Sequence, residues 1–324
     1  MADITLLEAV TQALAWELAH DENVVIFGED VGKNGGVFRA TEGLQARFGE
    51  TRVFDTPLAE SMIAGLTIGM SLQGLKPVAE FQFMGFIYPA MNQIITHAAR
   101  MRNRTRGRLY CPLVFRAPFG GGIRAPEHHS ESTEALFAHI PGLQVVIPSS
   151  PKRAYGLLLA AIRSPDPVIF LEPKRIYRLV KQPVPDDGEA LPIGKCFTLQ
   201  EGDDVTLISW GASMHETLQA ASQLSDEGIS CEVIDLATIK PLDIDTILTS
   251  VEKTSRCVII HEGAKTGGVG AEISALIMEN AMADLAAPVQ RVTGYDVTMP
   301  YFQLEKHYIP SVHRIKTTVL SIME

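Results

Sequence analysis

The segment Asp55-Thr-Pro-Leu-Ala-Glu60 runs into Ser61-Met-Ile-Ala-Gly-Leu-Thr-Ile-Gly-Met70. This spacing puts a carboxylate in the first turn of a helix made otherwise of small and apolar residues. Such a helix is expected to be buried, with Glu60 facing a pocket. Burial raises a carboxyl pKa and a helix N-terminus lowers it. A carboxylate held in that balance can exchange a proton near neutral pH. No chemical partner for it stands out in the same chain.

A second stretch, Ala117-Pro-Phe-Gly-Gly-Gly-Ile-Arg-Ala-Pro-Glu-His-His-Ser130, combines a glycine triplet with paired histidines. The glycines allow close backbone approach to a ligand or partner, or simply a mobile loop. His128 and His129 are adjacent, so in extended backbone their side chains diverge and at most one serves a given pocket. Glu127-His128-His129 lacks the i, i+4 spacing of helical metal ligands, which argues against a metal site. His129 is a proton-transfer candidate, with an ordinary surface histidine as the plainer alternative. Gly120-Gly121-Gly122 is not followed by Lys-Ser/Thr and is not a nucleotide phosphate loop. Thr266-Gly-Gly-Val-Gly-Ala-Glu272 lacks a third spaced glycine and reads as a tight turn into a helix. Gly211-Ala-Ser213 reads as a helix cap.

The elements that would position these residues alternate along the chain. Thr5-Leu-Leu-Glu8 has capping-box spacing and opens a helix to His20. Strands are expected at Val24–Phe27, Arg52–Phe54, Pro77–Phe81, Leu113–Phe115, Gln144–Ile147 and Val168–Leu171, with helices from Glu60 to about Gly74, from about Pro89 to Arg104, and from Pro151 to Arg163. The polar, proline-rich stretch Lys181–Pro192 reads as a linker. Beyond it, strands at Val205–Ile208, Cys231–Ile234, Cys257–Ile260 and Val289–Val292 alternate with helices, the last following Pro310. The expected fold is therefore α/β in two domains, each a largely parallel sheet flanked by helices. The expected division is residues 1–185, a linker 186–200, and residues 201–324. Ligands in such sheets bind beyond the carboxyl ends of strands. Glu29-Asp30, Asp55 to Glu60, Gln82 to Phe86, and Gly120 to His129 all follow strands of the first domain and map to one edge.

Bulk properties narrow the class. The chain has 324 residues, 46% apolar and 20% charged, with a formal net charge of −10. The acidic balance argues against nucleic acid, whose phosphates need a positive field. No apolar run reaches the length of about 20 residues that spans a bilayer. No signal or transit peptide is read at Met1-Ala-Asp-Ile-Thr5, so a cytoplasmic protein is expected. Cys111, Cys196, Cys231 and Cys257 are widely spaced and read as reduced thiols.

These residues resemble a known family: the β subunits of the thiamine-diphosphate-dependent first component of 2-oxo acid dehydrogenase complexes. The resemblance covers the whole chain. It rests on Gly28-Glu-Asp-Val31, Gly35-Gly-Val-Phe-Arg-Ala-Thr-Glu-Gly43, Asp55 to Glu60, Glu80-Phe-Gln-Phe-Met-Gly-Phe86, Arg116-Ala-Pro-Phe-Gly-Gly-Gly122, His129, Pro167-Val-Ile-Phe-Leu-Glu-Pro173, Pro241-Leu-Asp-Ile-Asp245 and Val251-Glu-Lys-Thr254. It implies a thiamine-diphosphate pyrimidine-binding domain followed by a transketolase C-terminal-like domain. Glu60 then matches the glutamate that bonds N1′ of the aminopyrimidine, Phe86 the aromatic stacked on that ring, and Gln82 a cofactor-site position. Glu29 matches an acidic residue of a water-filled tunnel, and His129 the histidine that assists acyl transfer to a lipoyl group. The resemblance also implies potassium bound by backbone carbonyls near Leu113, Val114, Ala161, Ser164 and Asp166.

The Gly-Asp-Gly motif that anchors the diphosphate through Mg²⁺ is missing; Gly202-Asp-Asp204 lies in the wrong context. The family implies that an α subunit supplies this half of the site in an α₂β₂ heterotetramer, and that a lipoyl-bearing acyltransferase core receives the acyl group. Pyruvate is the first expectation for the 2-oxo acid. The segment Glu172-Pro-Lys-Arg-Ile-Tyr177 points to the branched-chain enzymes, and acetoin dehydrogenase is a third alternative. Two other classes stay open: a nicotinamide-dependent dehydrogenase using the Gly267 to Gly270 turn, and a non-catalytic assembly subunit.

Overall fold

A computed structural model describes residues 3–324. The chain forms two compact units, Met1–Phe119 with Leu136–Ile193, and Gly120–Ala135 with Gly194–Glu324. In the first, a short strand β1 (Asp3–Thr5) leads into α1 (Leu6–His20). Thr5 and Glu8 cap that helix reciprocally, each satisfying a backbone N–H of the other. β2 (Val24–Gly28), α2 (Leu44–Phe48), β3 (Val53–Asp55), α3 (Glu60–Leu72) and β4 (Lys76–Glu80) follow.

The single helix expected from Pro89 to Arg104 is instead a broken series. A 3₁₀ segment, Met84–Ala90, contains Pro89, which has no N–H to give. Then come α4 (Met91–Gln93), a π turn at Ile94–Ala98, and α5 (Met101–Arg104). The remaining elements before the second unit are β5 (Val114–Phe119), α6 (Glu134–Ala138), β6 (Gln144–Val146), α7 (Pro151–Arg163), β7 (Val168–Pro173) and β8 (Lys181–Pro183). Within this unit the strands order as β6-β7-β5-β4-β2-β3, all parallel. Their near-continuous Val, Ile and Phe runs fit strands buried on both faces. α1 lies against α7, and the Arg163 guanidinium bonds Glu17 across them at 2.7 Å.

The proline-rich stretch after Lys181 is anchored. β8 pairs antiparallel with β1, the Tyr155 hydroxyl donates to Asp186 at 3.1 Å, and the Leu191 N–H donates to the Gly156 carbonyl.

The second unit contains β9 (Phe197–Gln200), β10 (Val205–Ser209), α8 (Ser213–Asp226), β11 (Cys231–Asp235), β12 (Thr238–Lys240), α9 (Ile244–Thr254), β13 (Cys257–Ile260), α10 (Val269–Ala281), β14 (Gln290–Val292), α11 (Phe302–Tyr308) and α12 (Val312–Met323). Its five-stranded sheet orders as β14-β13-β10-β11-β9. Only β9 runs antiparallel. Leu224 of α8 and Ile315, Val319 and Ile322 of α12 pack with Val205, Leu207 and Val258 of the sheet in one apolar cluster. Among the described residues no helix is long and apolar enough to cross a membrane.

Candidate active site

Strand register builds the edge. Parallel pairing sets Gly28 beside both Asp55 and Glu80, and Glu80 beside Arg116. The residues just beyond those strand ends, Glu29, Glu60 and Gln82, therefore leave one edge of one sheet. The Asp55 carboxylate accepts from the Gly32 N–H at 2.6 Å and pins the loop after β2. Glycine leaves room for this contact: a Cβ on residue 32 would lie 2.4 Å from Gln45 Nε2 and 2.9 Å from that carboxylate, so one of the side chains would have to move.

Glu29 is buried, and among the described residues its Oε1 has no hydrogen-bond partner. Its pKa rises from 4.5 to about 7, first through burial, then through the negative charges of Glu60 and Asp30. Gln82 Nε2 donates to the Asp30 carboxylate at 3.0 Å. Phe86 closes an aromatic row: its ring meets Phe83 edge-on at 5.5 Å, Phe83 meets Phe38 at 5.5 Å, and Phe38 meets Tyr177 at 5.4 Å.

Glu60 opens α3 as expected, but the helix is not buried all round. Glu60 is half-buried, and Ser61, Met62, Gly65 and Gly69 form an exposed face, with Leu58 79% exposed just before it. Ile63, Ala64, Thr67 and Ile68 cover the opposite face. The segment's uniform apolarity hid this two-sidedness, since glycine and methionine do not mark a solvent face.

Sequence reasoning assigned no role to a fully buried charge cluster in the first unit. Arg116, 1% exposed, donates Nε and Nη2 to Glu172 at 2.6 and 3.0 Å and Nη1 to Glu80 at 2.7 Å. The Tyr177 hydroxyl donates to Glu172 at 2.6 Å. Burial pushes the Glu80 carboxyl and the Tyr177 phenol up from their ordinary values. The available signal was a charge flanked by apolar residues within or at the end of each strand: Ala79-Glu80-Phe81, Phe115-Arg116-Ala117 and Leu171-Glu172-Pro173.

His129 belongs to the second unit. It is half-buried in a 3₁₀ turn, Glu127–His129, whose last N–H donates to the Pro126 carbonyl at 3.0 Å. The glycine triplet before it does not present its N–H groups to a phosphate. The Gly121 N–H donates to Glu262, and the Gly122 N–H to Glu305 at 2.6 Å. Behind them Glu134 is fully buried and its carboxyl is pushed up to about 8, first by burial, with the charge of Glu262 adding to it. His261 stacks on Trp210 at 5.0 Å, and burial lowers its pKa to about 4.

The carbonyls named for potassium lie in the first unit. That of Leu113 accepts from the Val168 N–H at 3.0 Å, that of Ala161 from Ser164 N–H at 3.3 Å, and that of Asp166 from Ser164 Oγ at 3.0 Å. Val114 begins β5. Among the described residues no three His, Cys, Asp or Glu side chains gather into a possible metal cluster, and all four cysteines are free.

Two parallel α/β units with an acidic, aromatic-lined edge on the first define a class. The transketolase pyrimidine-binding domain matches residues 2–180, and the transketolase C-terminal domain matches residues 194–315. A solved structure described as a split-gene transketolase, inactive β4 tetramer, superposes with a TM-score of 0.82 over 99% of both chains at 23% identity. That likeness concerns the fold. The pyruvate dehydrogenase E1 component subunit beta of Acholeplasma laidlawii is 53% identical over 97% of this chain and 96% of its own length. The subunit of the same name from Bacillus subtilis (strain 168) is 50% identical over the full length of both. The chain belongs to the family of pyruvate dehydrogenase E1 β subunits, and the expectation of thiamine diphosphate comes with that membership.

Proposed function

We propose that this chain supplies the proton-handling wall of a pyruvate dehydrogenase active site. In this reading it serves decarboxylation of pyruvate and acetyl transfer to a lipoyl-bearing acyltransferase, in an α₂β₂ assembly in the bacterial cytoplasm. The observation that carries the reading is the orphaned, buried Glu29 carboxyl beside Glu60 at the sheet edge. An unpartnered polar group in that setting costs free energy unless something else fills the space.

The residues fit thiamine diphosphate. Glu60 would hold the proton at the N1′ nitrogen of the aminopyrimidine, Phe86 would face that ring, and Gln82 and Glu29 would complete the polar wall. When bound, the cofactor supplies a carbon nucleophile and an electron sink for decarboxylation. Glu29 beside Glu60 binds its proton more tightly than an ordinary carboxyl, which keeps a proton at this wall near neutral pH. His129 handles the proton of acyl transfer. The α subunit holds the diphosphate and its Mg²⁺, for which this chain has no Gly-Asp-Gly motif. Potassium would be held by the carbonyls of Leu113, Val114, Ala161, Ser164 and Asp166. The open apolar face of α3 supports an assembly, because a patch of that kind on one chain invites cover.

The segment that pointed to the branched-chain enzymes loses its weight as a substrate marker. Glu172 is buried and spent on Arg116, and the buried Tyr177 hydroxyl is spent on Glu172. The test is a steady-state assay of the chain assembled with its α subunit, using pyruvate, 3-methyl-2-oxobutanoate and acetoin in parallel. Pyruvate is expected to give the highest kcat/KM; preference for either rival overturns the substrate assignment. Calorimetry on the chain alone tests the shared crevice. Micromolar, Mg²⁺-dependent binding of thiamine diphosphate without a partner would show that the site is complete in one subunit.

A further inference from the structure

We propose that Glu262 and Glu305 are positioning residues: they tether the glycine loop and so fix where the following turn presents His129 for acyl transfer. The proposal rests on the reading of His129 given above. The loop starts with Gly120 (φ +82°), Gly122 (φ +84°) and Arg124 (φ +61°), all in left-handed backbone. Such alternation turns successive N–H groups toward one side and forms a concavity for an anion. The anions here belong to the chain itself. Glu262, immediately after β13, accepts from the Gly121 N–H and from Ser132 Oγ at 2.8 Å. Glu305, on α11, accepts from the Gly122 N–H at 2.6 Å, and both its oxygens accept from the Arg124 N–H, at 3.3 and 3.2 Å. Gly120 N–H closes the base of the loop onto the Glu131 carbonyl at 2.8 Å.

The glycines are there for contact with these carboxylates and their surroundings. A Cβ on residue 120 would lie 2.9 Å from Glu262 Oε1, and one on residue 121 would lie 2.4 Å from the Met299 methyl. Both glutamates are 6% exposed. Burying two carboxylates is unfavourable unless they are well bonded. Hydrogen bonds from N–H to an ionised acceptor are short and strong. Apolar side chains could hold a loop against a surface; charged acceptors on two separate elements also fix its register. The tether ends at Arg124, and from there Pro126 leads directly into the turn that carries His129, closed by Ser130 Oγ on the Pro126 carbonyl at 3.0 Å. A slack tether therefore displaces His129 without removing any atom of it.

The test uses the chain assembled with its α subunit and thiamine diphosphate. Glu262→Gln, Glu305→Gln, Glu262→Leu, Glu305→Leu and His129→Ala are compared with the parent. Three quantities are measured: hydrogen–deuterium exchange of the segment 120–130, acylation of a free lipoyl domain, and pyruvate decarboxylation with an artificial electron acceptor. In the Leu variants, exchange of the segment is expected to rise and lipoyl acylation to fall by about 10²-fold, the cost of a misplaced group. The KM for pyruvate and the artificial-acceptor rate are expected to stay within about twofold of the parent. The Gln variants, which keep an acceptor oxygen, should recover part of the acylation rate, and they carry the test if a Leu variant fails to assemble. Unchanged exchange in the variants overturns the tether. Equal loss in both half-reactions overturns the positioning role, since general damage to the fold would produce it. Full acylation by His129→Ala, with exchange still raised in the glutamate variants, overturns the reading of His129 and not the tether.

Discussion

Two carboxylate clusters sit beside each other in the first unit, and they are built on opposite principles. Around Arg116 the charges are matched: one guanidinium engages Glu172 with two hydrogen bonds and Glu80 with a third, and Tyr177 adds a fourth bond to Glu172. Around Glu29 they are not: Glu29, Asp30 and Glu60 are all acidic, and the donors that reach Asp30, the amides of Gln82 and Asn34, carry no charge. Register places Gly28 directly against Glu80, so the two clusters leave neighbouring strand ends. The difference separates two uses of a buried charge. A matched cluster specifies how the sheet packs. A like-charged cluster with an orphan oxygen is unfavourable on its own, and it suits a site completed by something that binds there.

The largest effect that could break this contrast is on turnover. In the assembled enzyme, Glu60→Gln is expected to lower kcat by about 10²–10⁴-fold, the usual contribution of a positioned proton-transfer group, with little change in the midpoint of urea unfolding. Activity at the parental level would leave only an assembly role for this chain. The matched cluster predicts the reverse pattern. Arg116→Met leaves Glu80 and Glu172 buried without their cation, and should cost about 3–5 kcal/mol of stability in urea unfolding of the isolated chain. A loss below about 1 kcal/mol would mean that the pair is weakly bonded or wet. Tyr177→Phe removes one neutral donor to Glu172 and should cost less, about 1–2 kcal/mol.

How far the sequence reaches into this picture depends on what each residue type signals. Alternating apolar strands and capped helices carry strong local patterns, so α1 with its Thr5–Glu8 box and α7 from Pro151 to Arg163 lie where the sequence places them. Glu29 and Gln82 follow the ends of β2 and β4, and Glu60 opens the helix after β3, so topology alone pointed to this edge. The Phe81–Arg104 region was not. Its Met, Gly, Ile and Ala residues suit 3₁₀, α and π turns alike, and packing chooses among them. The strand β9 was missed because it runs antiparallel on the edge of an otherwise parallel sheet, within the segment 186–200 read as linker. Pairings distant in sequence were invisible: Arg116 with Glu172, Gly122 with Glu305, and Gly121 with Glu262 lie 56, 183 and 141 residues apart. The glycine triplet was read as open to close approach by a ligand or partner, or as a mobile loop; what approaches it is this chain's own carboxylates.

The smallest effect tests the orphan itself. Glu29 has a folded-state pKa of about 7 against an ordinary 4.5, so the folded chain binds a proton more tightly than the unfolded chain does. Below about 4.5 the group is protonated in both states and costs nothing. As pH rises through the window from 4.5 to 7 the unfolded chain gives up its proton first, and folded-state stability falls; above 7 the loss is complete. Glu29→Gln removes the titration. The variant should match the parent near pH 4 and exceed it at pH 8 by about 1 kcal/mol, an amount kept small by water screening at the open edge. Urea unfolding at the two pH values measures it. Equal stabilisation at both would mean that the penalty is steric and not electrostatic. In the assembled enzyme with thiamine diphosphate the gain at pH 8 should shrink or reverse, because the carboxyl that is unfavourable in the lone chain then has a wall of the site to complete.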